Sequence, residues 1–160
     1  MRTTLDEIAP VFAGMAHSIG IGVAATVDVD GRPHTRPVQP VWERVDGDLV
    51  GWMTSEATAP KIADVRHMPE LSVTYWNPEQ DTCTADCVVE VVTDDAERVA
   101  TWDRFLHAPG AAQIDLSTHP AWDGPTDPAF AVLRLRPTWL RVMPGRLMTA
   151  GEGDVLTWRR

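Results

Sequence analysis

The sequence has one lysine, Lys61; all the other basic side chains among its 14 lysines and arginines are arginines. Cations are also outnumbered, since 23 acidic residues set the net charge at −9. That balance argues against a general nucleic-acid binder, because a phosphate backbone demands clustered cations. It leaves room for one phosphorylated small molecule, which needs only a local positive patch. No apolar run is long enough to cross a bilayer, and Met1-Arg2-Thr3-Thr4 leads into an acidic turn rather than a signal peptide. A cytoplasmic protein with no membrane partner is expected. The only cysteines are Cys83 and Cys87. On a strand they share a face, too far apart for a disulfide, so two buried small apolar residues are expected. Histidines 17, 34, 67, 107 and 119 lack ligand spacing, and no metal is expected. Ser117, Thr118, His119 and Asp123 lack a nucleophile elbow, which argues against a hydrolase.

The 160 residues suit one domain, 1–160, with a core over about 5–143 and a tail from 144 to 160. Thr4-Leu5-Asp6-Glu7 reads as a capping box opening a helix. Pro10 predicts that this helix bends or breaks. Asp30-Gly31 and Asp46-Gly47 each divide apolar runs, the signature of a hairpin turn. They predict three strands in a meander, with the middle one over about 33–45. Pro60 to Met68 reads as a short helix, stopped by Pro69. Strands follow over 71–76, 82–92 and 129–143, with a helix from Asp94-Asp95 to about His107. The span 108–128 is a long loop, the kind that carries function or an interface. The tail after Pro144 is Gly-rich and free to fray or to hook onto a partner. Six strands in meanders predict a mainly β protein, a six-stranded antiparallel split β-barrel with short flanking helices.

The chemistry concentrates between Arg36 and Lys61. Thr54 and Ser55 offer hydroxyls at a strand end. Lys61 places a cation near a helix N-terminus, where free N–H groups also favour anions. Arg36, on the neighbouring strand, brings a bidentate fork. The set suits one phosphate, although each member alone is as easily a turn residue or a solvated cation. Pro37 and Pro40 cannot donate ladder hydrogen bonds, which marks their strand as an edge or a bulge. Val38 and Gln39 between them then keep backbone groups that suit the polar edge of a planar heterocycle. Of the seven tryptophans, Trp52 is nearest this stretch, and Trp122 in the long loop is the next best placed to reach a ligand. Trp42, Trp76, Trp102 and Trp139 read as core or subunit interface.

In this order the motifs resemble the pyridoxamine 5'-phosphate oxidase-like split-barrel flavoproteins, and within them the general-stress-protein subgroup. The resemblance rests on the run from Ala25 to Pro33, on Thr35-Arg36-Pro37-Val38, and on Thr54-Ser55 followed by Lys61. It continues from Met68 to Tyr75 and returns from Trp122 to Phe130, ahead of Leu133-Arg134-Leu135. It spans about residues 5 to 143. Cys83-Thr84-Ala85-Asp86-Cys87 departs from the family pattern, in which an aromatic or hydrophobic residue precedes a glycine-containing strand.

The resemblance implies a homodimer with FMN in clefts between subunits. It assigns Arg36, Thr54, Ser55 and Lys61 to the phosphate. Pro37, Val38, Gln39, Trp52 and Met53 would line the isoalloxazine, and the segment after Pro109 would close over it. Three functions stay open. One is an FMN-dependent oxidoreductase acting on a small-molecule redox substrate, with NAD(P)H as a candidate donor. The second is a reductase using a deazaflavin coenzyme. The third is a non-catalytic flavin or haem protein, for which His107 and His119 are the only candidate ligands. No catalytic acid or base stands out.

Overall fold

The two Asp-Gly signals mark two hairpins. β1 (Gly22–Val27) runs antiparallel to β2 (Pro33–Val38), and β3 (Val41–Val45) runs antiparallel to β4 (Asp48–Glu56). The structure, a computed structural model, describes residues 2–160. Asp46 and Gly47 turn the second hairpin with φ of 50° and 85°, the positive values that Asp-Gly tolerates. The first turn is longer, and the Asp28 carboxylate holds it by accepting from the N–H groups of Asp30 and Arg32.

β5 (Glu70–Trp76), β6 (Thr82–Val92) and β7 (Phe130–Met143) complete the order β2-β1-β5-β6-β7-β4-β3. The pairings between these strands are all antiparallel. This is the expected split barrel with flanking helices, left open between β2 and β3. The count differs: there are eight strands among the described residues rather than six. One expected strand divides, and the tail adds another.

The division falls at Gln39-Pro40. The sequence predicts one strand over 33–45, but β2 and β3 lie at opposite ends of the sheet. Proline cannot bridge a ladder, and the next free donor is taken elsewhere. The Trp42 N–H donates to Nε2 of buried His17 at 2.9 Å. His17 belongs to α1 (Leu5–Ile19), so the helix pins the crossing point.

The capping box at Thr4 and Glu7 is present. The break expected at Pro10 is not, and α1 runs through it. Pro10 is exposed, and the carbonyl it leaves unbonded belongs to exposed Asp6 in the first turn, where solvent replaces the lost bond. The tail is likewise tied down. After α4 (Arg146–Ala150), β8 (Leu156–Arg159) pairs antiparallel with β7. The Thr3 N–H donates to the Thr157 carbonyl. The last strand thus covers part of β7 that β4 leaves unpaired, which meets the backbone's need for partners.

Alternation along the strands builds two cores. Inside the barrel, Ile8, Phe12 and Ala16 of α1 pack on Trp42, Met53, Tyr75, Leu133 and Leu140. Outside, Val50, Trp52 and Val132 are covered by Phe105 of α3 (Asp95–Leu106) and by Ala112, Leu116 and Trp122 of the long loop. That loop is therefore packed, with 3-10 turns at Gly110–Ala112 and Leu116–Thr118. The outer face of β2-β1-β5-β6 has no such cover. Exposure there reaches 59% at Ile21, 50% at Val23, 57% at Trp76 and 45% at Val88. Cys83 and Cys87 are buried and unpaired, as expected, and burial pushes both thiols up into an inert range. Among the described residues no helix is long and apolar enough to cross a membrane.

Candidate functional site

The site forms where β1, β2 and α2 (Pro60–His67) meet at one mouth of the barrel. Pairing of Ala24 with Arg36 and of Thr26 with His34 puts these residues on the inward face. Ile62 and Val65 anchor α2 in the inner core. Lys61 and Asp64 lie three apart on that helix, so they share its face.

One buried carboxylate organises the mouth. Asp64 Oδ2 accepts from the Thr26 hydroxyl at 2.6 Å. The same Thr26 oxygen accepts from Arg36 Nη1 at 2.7 Å. Arg36 Nη2 lies 3.6 Å from Asp64, and His34 bridges Asp28 at 3.6 Å and Asp64 at 3.9 Å. The Lys61 side chain makes no hydrogen bond or salt bridge among the described residues. Burial, and then the positive charge of Arg36, holds its ammonium below the usual lysine range, with Glu56 opposing. Burial also lowers Arg36, with Asp64 opposing.

The helix end itself is bare. α1 and α3 carry side-chain caps and acidic first turns. α2 has neither, and a cation, Lys61, follows its first residue, Pro60. A positive charge beside the positive end of a helix dipole is unfavourable in isolation. Two half-buried cations beside a helix start that has no side-chain cap together make a receptor for an anion.

The sequence-derived candidates separate into groups. Arg36 and Lys61 come together. Ser55 shares the inner face of β4 with Met53, while Thr54 points to the other face with Trp52. Ser55 donates to the Glu56 carbonyl at 3.0 Å. Val38 and Met53 are buried in the inner core, and Pro37 is exposed. Gln39 donates to the Ala111 carbonyl at 2.6 Å, tying the crossing point to the long loop. Trp52 does not reach the cations: its Nε1 donates to Glu97 at 3.1 Å, and Arg104 lies 3.9 Å over its ring. Trp122 sits in the same outer core, stacked on His119 at 3.9 Å. Of the two candidate haem ligands, His107 engages Asp103 and His119 stacks on Trp122.

Asp64, Thr26 and His34 are site residues the sequence reading passed over. Spacing gave a signal for Asp64 alone, three residues beyond Lys61. Thr26 and His34 join through strand register and helix docking, which no local pattern records.

The model of the pyridoxamine 5'-phosphate oxidase family matches residues 9–144. The chain belongs to that family. Solved structures agree on the fold. General stress protein 26 from Bacillus anthracis superposes with a TM-score of 0.64 at 17% identity, over 86% of this chain and 95% of that one. A pyridoxamine 5'-phosphate oxidase-related, FMN binding protein from Nostoc punctiforme gives 0.65 at 18% identity, over 91% and 88%. An F420 reductase gives 0.59 at 20% identity, over 81% and 94%. Among curated proteins, none matches the sequence. Within this oxidase family fold, Arg36 and Lys61 stand at the mouth left open beside the edge strand β2.

Proposed function

We propose that the chain is an FMN-dependent oxidoreductase that grips the cofactor by its phosphate and works as a homodimer. The observation that carries this is the pairing of Arg36 with Lys61. Both are desolvated, they repel one another, and Lys61, at an uncapped helix end, makes no salt bridge among the described residues. A phosphomonoester, carrying close to two negative charges at neutral pH, relieves all three conditions. The FMN-binding relative from Nostoc punctiforme supports the choice of ligand.

A bound flavin supplies hydride transfer; the chain supplies grip, orientation and shelter from water. Arg36 faces the mouth while its neighbour Pro37 lies on the outer face of the same edge strand. β2 therefore links the cation pair to the uncovered half of the sheet. That surface carries a cavity of about 360 Å³ lined by Ala25, Val27, Leu71, Ser72, Cys87 and Val88. An uncovered apolar sheet face of this kind suits a second copy, and the cleft between copies would hold the rest of the flavin.

Similarity to an F420 reductase favours a deazaflavin coenzyme as the second reading. The net charge of −9 weighs against that coenzyme's long acidic tail. A visible spectrum of the purified protein, taken before and after FMN and then NADPH, tests the proposal. Flavin bands that shift on binding and bleach with a reductant support it. No uptake of FMN overturns it, and tighter binding of the deazaflavin selects the second reading.

A further inference from the structure

We propose that Asp64 is the positioning residue of the anion site, acting through Thr26 to aim Arg36. The inference rests on the reading that Arg36 and Lys61 hold a phosphate, and it adds a residue of opposite sign to that site.

A carboxylate beside an anion site repels the ligand, so its presence there requires a compensating role. Asp64 has a side chain only 8% exposed. Burying a carboxylate is costly unless it is hydrogen-bonded and paired. Thr26 supplies the hydrogen bond at 2.6 Å, and Arg36 supplies the charge at 3.6 Å. The Thr26 hydroxyl has one proton. Donating it to Asp64 leaves the oxygen's lone pairs for Arg36, which donates at 2.7 Å. The three groups thus fix the direction of every bond between them. Arg36 is held by two partners on different elements, β1 and α2.

The pairing is selective. Asp64 engages Arg36, while Lys61, on the same helix, makes no salt bridge among the described residues. One cation is ordered in advance while the other stays uncommitted. Ordering a guanidinium before binding removes an entropic cost that the ligand would otherwise meet.

Asp64→Asn keeps the shape and removes the charge. Thr26→Val keeps the charge and breaks the relay, and it covers the case in which the first variant fails to fold. Two readouts apply to each. The first is the guanidinium NMR signal of Arg36 in the ligand-free protein, assigned by its loss in Arg36→Lys. The second is affinity for FMN beside affinity for riboflavin, which lacks the phosphate.

Positioning predicts that the Arg36 signal moves to the free-arginine position in both variants. It also predicts that FMN affinity falls on the order of tenfold, while riboflavin affinity stays within twofold. A structural role alone would weaken both flavins together. If Asp64 acts only as a like charge, Asp64→Asn binds FMN more tightly, and the proposal fails. It fails also if the Arg36 signal is unmoved. If the unaltered protein binds no FMN, the flavin reading falls, and the Arg36 signal alone decides the role of Asp64.

Discussion

Replacing Lys61 by Met separates ligand binding from stability. The change removes the charge and keeps an unbranched stem of similar length over the core. A charge-assisted hydrogen bond to phosphate contributes about 1.5–3 kcal/mol. At about 1.4 kcal/mol per factor of ten, FMN affinity should fall about 10- to 150-fold. Arg36 remains, so binding weakens without vanishing. Riboflavin offers no phosphate, and its affinity should stay within twofold. The ligand-free protein should lose no stability. Burial and the charge of Arg36 both act against the Lys61 cation in the fold, with only Glu56 in its favour. Quenching of flavin fluorescence measures the two affinities, and thermal melting of the ligand-free protein measures the rest. Equal weakening of both flavins, unchanged FMN affinity or a lower melting point in Lys61→Met would each refute the reasoning.

Burial lowers the His17 pKa, so the folded state keeps a neutral ring that the unfolded state protonates more readily. That stability is present above the unfolded value of 6.5 and is lost as the pH falls below it; a denaturation series from pH 8 to 5 should show the loss, and His17→Gln should flatten it. Tyr75→Phe removes the acceptor for the buried Trp42 indole N–H, a bond of 2.9 Å. Urea unfolding should show a loss of about 1–3 kcal/mol. Val23→Asp charges the uncovered sheet face across β1 from Thr26. Sedimentation should show a dimer becoming a monomer with weaker FMN uptake; an unaltered dimer would place the interface elsewhere.

Much of the fold was legible because its signals are local. The Thr4–Glu7 capping box, the Asp46-Gly47 turn and the Pro60 helix start each act within a few residues. Pro37 and Pro40 announced irregular pairing, and β2 is indeed an edge strand. Their larger consequence was hidden. Whether a segment turns within one hairpin or crosses to the far end of a sheet depends on distant partners, here β1, β4 and His17. Whether the Gly-rich tail frays or hooks onto a partner was hidden for a similar reason: it pairs with Thr3 and β7 of its own chain. Pro10 misled because the penalty of a helix proline depends on where its orphaned carbonyl lies, and solvent reaches the one here.

Local sequence set the β3–turn–β4–α2 stretch that carries Ser55 and Lys61, and the absence of any other lysine to compete with it. Tertiary structure decided the rest. Strand pairing turned Ser55 inward and Thr54 outward, and placed Arg36 opposite Ala24 at the barrel mouth. Docking of α2 brought Asp64 to Thr26, giving the site its one buried counter-charge. Side-chain direction in a strand has a period of two, so a shift of one residue in register would reverse every such assignment. Register within each hairpin follows its turn, but which strand each hairpin edge meets is set by long-range pairing, which the local sequence does not encode.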